Sequence, residues 1–166
     1  MKTLGDVPMT KEQLMKLLIP NRPWESEPNN VSFECLGYKC EIKRHDTMMH
    51  LCGYINIPKG HPLYECDEED GVENFISVHG GITYNRKMPK CRRIGFDCAH
   101  AGDFSPGAFM VIAWVQMEDN REVDLERLHI TQNPEDYKTV RWVADQLSAV
   151  AMQLRTYEVK YEKERS

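Results

Sequence analysis

The chain is expected to be an α+β protein, with about five strands in mainly antiparallel order, a long C-terminal helix packed on one sheet face and a short N-terminal helix. Three observations predict this. Asn133 to Tyr157 starts with helix-capping residues and repeats apolar residues every three or four positions. Val31 to Ile57 contains two stretches of period-two alternation around a short connection, and Thr10 to Ile19 opens with a capping box. At 166 residues and 41% hydrophobic content the chain fits one domain. Its expected parts are a helix and irregular segment over 1–30, the sheet over 31–130 and the final helix over 131–158.

The elements follow in order. Thr10 with Gln13 three residues on, and Leu14, Met15, Leu17 and Leu18 behind them, predicts a short helix. Pro20, Pro23 and Pro28, with Asn21, Asn29 and Asn30, end it in an irregular connection that Trp24 pins to the body. Val31 to Arg44 reads as one strand, with Tyr38, Cys40 and Ile42 on one face and Lys39, Glu41 and Lys43 on the other. Met49 to Ile57 is its antiparallel partner across His45 to Met48. Pro58 to Pro62 is a turn that should leave His61 exposed, and the acids of Glu65 to Asp70 form a solvated loop. Phe109 to Met117, apolar at almost every position, reads as the most buried strand. Glu118 to Arg127 turns the chain outward. Asn133 caps the last helix, Pro134 takes its first position, and Lys160 to Ser166 frays.

The stretch that carries chemistry is Phe75 to Asp103. Two short runs read as strands, Phe75 to Val78 and Arg93 to Cys98, and each delivers polar residues at its end: His79-Gly80-Gly81 after the first, and Asp97 through His100 to Asp103 after the second. Glycines beside His and Asp permit positive φ or a close backbone approach, and such loops can hold functional side chains on a rigid sheet. Each of these residues also has an ordinary turn role. The expectation is that His79, Asp97, His100 and Asp103 converge on one pocket, with His61 as a third histidine if its loop folds over.

The runs His79 to Tyr84, Ile94 to Asp103 and Gly53 to Pro62 resemble a group of small bacteriophage and prophage proteins, over roughly Gly37 to Leu154. No established activity comes with that resemblance. The chain departs from the group after Tyr84, where relatives carry a longer, more acidic insert and this sequence has a short basic one. The resemblance implies a host cytoplasm as the setting.

Charge and composition narrow the field. A formal charge of −5 argues against a nucleic-acid partner, which usually meets a basic face. No apolar run is long enough to cross a bilayer, and the N-terminus lacks the apolar core of a signal peptide, so a cytoplasmic protein without a membrane partner is expected. The six cysteines then read as reduced thiols, mostly in the core. Cys35, Cys40, His45 and His50 recur every five residues, a spacing unsuited to zinc, whose ligands pair at two to four residues across a tight turn.

Two function classes stand. In the first, a small hydrolase acts on an anionic, phosphoester or nucleotide-like substrate. His79, Asp97, His100 and Asp103 supply acid and base, or His79, His100 and Asp103 hold a divalent metal that activates water. Gly80, Gly81, His61, Arg92 and Arg93 would bind the anion, aided by the cations between Arg86 and Arg93. In the second, the same pocket captures a small anionic ligand or a host protein without turnover. The sequence leaves enzyme and binder open, because it carries no HExxH, nucleophile elbow or phosphate-binding loop.

Overall fold

The computed structural model describes residues 3–4, 7–67, 71–120 and 122–166. The chain divides into two compact units, each assembled from separate stretches. The first comprises Met1–Glu27, His45–His50 and Ala99–Thr139; the second comprises Pro28–Arg44, Leu51–Cys98 and Val140–Ser166.

The first unit is mainly helical. A two-residue strand pair, β1 (Thr3–Leu4) and β2 (Val7–Pro8), precedes α1 (Lys11–Leu18), followed later in the chain by α2 (Pro106–Asn120) and α3 (Leu125–Thr131). The capping box is present: Thr10 Oγ1 accepts the Gln13 N–H at 3.1 Å, and Gln13 Oε1 accepts the Thr10 N–H at 2.8 Å. Trp24 does anchor the proline-rich connection, packing its ring 5.4 Å from Phe104 and 5.2 Å from Tyr137. Leu14, Phe109, Ala113 and Leu128 belong to the same buried cluster.

Phe109 to Met117 is helix, not strand. The reason lies just upstream, where Ser105 Oγ accepts the Ala108 N–H and Pro106 occupies the first helical position, a start signal stronger than the apolar run behind it. Phe109 and Ala113 are fully buried, while Val111 is 52% and Val115 47% exposed, so the run is not buried along its whole length. The close start of α2 also needs glycine: a Cβ at Gly107 would lie 2.2 Å from the Thr47 carbonyl oxygen. The charged stretch 118–127 is divided between the end of α2 and the start of α3, which Asp124 caps through the Arg127 N–H at 3.0 Å. Residue 121 lies outside the described residues.

The second unit holds an antiparallel five-stranded sheet in the order β3-β4-β5-β7-β6, from β3 (Asn30–Cys35), β4 (Tyr38–Arg44), β5 (Leu51–Pro58), β6 (Tyr84–Lys87) and β7 (Cys91–Asp97). The long helix α4 (Val140–Arg165) packs on one face. Alternation places Tyr38, Cys40 and Ile42 inward, as the sequence predicts, and Ile55, Ile94 and Phe96 join them from β5 and β7. From α4 come Val143, Leu147, Val150, Ala151 and Leu154, one stripe at three- and four-residue spacing. Full burial of each Val or Leu is worth about 1.5–3 kcal/mol, so this stripe is the main attachment of helix to sheet.

Three expectations are corrected here. Val31 to Arg44 is a hairpin rather than one strand, because Leu36 and Gly37 both take positive φ, 52° and 85°, and reverse the chain in two residues. Phe75 to Val78 joins no sheet. Its Ser77 bonds instead to the side chain of Gln153 on α4, which accepts the Ser77 N–H at 2.7 Å and donates to its carbonyl at 2.8 Å, taking the place of a partner strand. Asn133 and Pro134 start only a single 3₁₀ turn, Pro134–Asp136; α4 begins at Val140 and runs on to Arg165, through the stretch expected to fray. The acidic loop is described only as far as Asp67, where Glu65 and Asp67 are exposed; its residues 68–70 lie outside the described residues. Among the described residues no helix is long and apolar enough to cross a membrane.

Candidate functional site

In the first unit, Ala99 to Asp103 forms a tight loop just ahead of α2. The Asp103 N–H donates to the His100 carbonyl at 2.9 Å, and Gly102 supplies the positive φ, 89°, that the turn requires. A Cβ at Gly102 would meet nothing within 4 Å, so backbone angle rather than space calls for glycine there. The Asp103 carboxylate is 3% exposed, drawn in by its neighbour Phe104, which packs against Trp24 and Phe109.

That carboxylate gathers three groups. Its Oδ2 accepts the His100 N–H at 3.0 Å and stands 3.6 Å from His100 Nδ1; its Oδ1 is 3.6 Å from Lys138 Nζ. The His–Asp distance is longer than a hydrogen bond but within ion-pair reach. Lys138 also donates to the Asp136 carbonyl at 3.1 Å, and the Phe104 N–H meets that carbonyl at 3.3 Å, so one loop carries both the lysine and the strap that holds Asp103 in place.

The second unit holds His79 and Asp97. The His79 ring stands edge-on to Trp142 of α4, centroids 4.8 Å apart, and its N–H donates to Gln146 Oε1 at 3.3 Å. Gly80 and Gly81 follow with φ of 67° and 82°, a pair of left-handed residues that side chains rarely allow, closed by the Gly81 N–H on the Val78 carbonyl at 2.9 Å. Asp97 ends β7 opposite Cys52 and accepts the Thr83 hydroxyl at 3.2 Å. Burial pushes the Cys52 thiol up, the Asp97 carboxylate adds to this, and a hydrogen bond with Tyr54 offsets part of it.

Three of the proposed anion binders, Arg92, Arg93 and His61, are occupied within the fold. Arg92 is buried, and its guanidinium donates to the carbonyls of Tyr64 and Cys66 and to Asn85 Oδ1 at 2.9, 2.7 and 2.9 Å. Arg93 donates to Glu41 and Asn56 and lies 4.4 Å over the Tyr54 ring, on the sheet face away from α4. His61, expected to face solvent, is 3% exposed. Its Nδ1 accepts the Leu63 N–H at 3.0 Å, which makes Nε2 the donor to the Leu154 carbonyl at 2.8 Å. The turn between Pro58 and Pro62 therefore directs His61 inward, against Tyr38 and Tyr157.

Within a unit, the structure brings together His100 and Asp103. The expected metal ligands divide between the units, His79 in the second and His100 with Asp103 in the first. Sequence reasoning missed Lys138, which reaches Asp103 from far along the chain and carries no local motif. Comparison of the chain with protein-family models, curated proteins and solved structures gives no match.

Proposed function

We propose that the protein is a small phage-type hydrolase acting on an anionic, phosphoester or nucleotide-like substrate in the host cytoplasm, with His100 as acid–base group and Asp103 as its positioning residue. The observation that carries this is the buried Asp103 carboxylate 3.6 Å from His100 Nδ1. His100 Nε2 takes a proton from the attacking water as the new P–O bond forms and returns it to the leaving oxygen as the old bond breaks. Lys138 adds positive charge beside the pair, suited to an anionic substrate. The phage-like sequence runs support the host setting.

A second reading rests on the same carboxylate. Because Asp103 also takes the His100 backbone N–H, the pair locks a loop, and the protein then binds a small anion or a host protein without turnover. Incubating the full chain with pooled nucleotides and aryl phosphates, with and without added divalent cation, separates the two when turnover and retention are scored independently. The hydrolase reading expects turnover that falls about 10²-fold or more in His100→Ala with the urea midpoint unchanged. Retention without turnover favours the binder. Neither turnover nor retention overturns both readings for small anions.

A further inference from the structure

Helix α2 is apolar on two sides. It buries Phe109, Ala113 and Met117, yet its opposite side presents Val111, Ile112 and Val115 to solvent. A helix apolar all round is normally covered all round, and a contiguous exposed apolar patch marks an interaction surface. The patch continues onto α3, where Ile130 is 80% exposed, and between the helices runs a groove of about 450 Å³ lined by Ile112, Val115, Asp119, Arg127 and Ile130 among others.

We propose that this face pairs with the same face of a second copy of the chain about a two-fold axis. An isologous contact requires one surface to carry both halves of every interaction. This one does so twice over. Ile130 stands at the groove beside its apolar lining, Ile112 and Val115, so the isoleucine of each copy can pack on that part of the groove of the other. Asp119 and Arg127 sit on opposite helices of the groove, both exposed, and neither has an ion-pair partner among the described residues. In a two-fold pair Asp119 of one copy meets Arg127 of the second copy, and the reverse, so both charges are matched. An acidic or a basic partner would satisfy one and oppose the other, which favours self-pairing.

The test is the mass of the full chain in solution, by light scattering and sedimentation across a concentration series. The wild type is expected at twice 19.3 kDa. Ile130→Glu is expected to give the monomer with an unchanged circular dichroism spectrum, since so exposed a side chain carries little of the fold. Asp119→Arg alone and Arg127→Asp alone should each weaken pairing by about tenfold, and the double exchange should restore it. A wild type that stays at 19.3 kDa at every concentration overturns the proposal, as does a dimer indifferent to Ile130→Glu or a double exchange that fails to recover.

Discussion

Asp103 is the residue on which the His100 loop depends. Replacing it with Ala takes away the acceptor of the part-buried His100 N–H and the counter-charge of Lys138; the loss of such an acceptor costs about 1–3 kcal/mol for a fully buried donor and less here. Urea unfolding of Asp103→Ala should show a midpoint lowered accordingly, with Asp103→Asn, which keeps an acceptor oxygen, losing less. His100→Ala should stay within about 0.5 kcal/mol of wild type, since it leaves the backbone bond intact. If the two alanine variants are equally destabilised, the loop is held by the imidazole instead. Part of this was legible beforehand: the three-residue spacing of His100 and Asp103 around glycine predicts a turn that joins them. Lys138 was not, because an ion pair formed across a long loop leaves no periodic trace. The position of His61 was hidden for the opposite reason. Its prolines and glycine announce a surface turn, and only tertiary bonds to Leu63 and Leu154 draw the ring inside.

At the scale of elements, local signals served well where a cap or an alternation was present and failed where tertiary partners decided. The capping box of α1 and the inward alternation of β4 follow directly from residue spacing. The apolar run of α2 has no clear period, so length and the Ser105-Pro106 start had to decide, and they decide for helix. The β3–β4 hairpin offers a sharper case, since Gly37 tolerates its positive φ and Leu36 does not. An L-residue in the left-handed region costs about 1–2 kcal/mol, less for Asn, whose side chain bonds locally. Leu36→Asn therefore creates an Asn-Gly turn and should raise stability by about 0.5–1 kcal/mol in a urea titration. Arg155 should still reach residue 36, because it bonds the backbone carbonyl there rather than the side chain. A neutral or lowered midpoint would mean that the leucine side chain contributes packing that outweighs its backbone strain.

At the scale of the molecule, the core of the second unit has a pH limit on its alkaline side. Burial first, then the Cys35 neighbour, pushes Cys40 up to about 12 from 9.0; burial first, then Glu158, pushes Tyr38 up to about 12 from 10.0. A group raised in the folded state contributes its stability fully below its unfolded value and loses it as pH rises through the folded one. The melting temperature should therefore hold up to about pH 9 and fall between about 9 and 12, and Cys40→Val should make the earliest part of the fall shallower, Cys52 contributing the rest. A flat profile to pH 11 would contradict this. The interleaving of the two units was not legible at all, because composition changes little where the chain passes from one to the other at 27/28, 44/45, 50/51, 98/99 and 139/140.

The place of α4 after every strand has a consequence for how the molecule comes into being. A ribosome releases the strands first and the covering helix last, so each nascent chain passes through an interval in which Ile42, Ile55, Ile94 and Phe96 have no helix to rest on. A chain arrested at Thr139 should be captured by holdase chaperones and cut rapidly by added protease, whereas release of the remaining residues should end both within the time the helix takes to dock. A chain that stops between β7 and α4 lacks Val143, Leu147, Val150, Ala151 and Leu154, the stripe that covers the sheet.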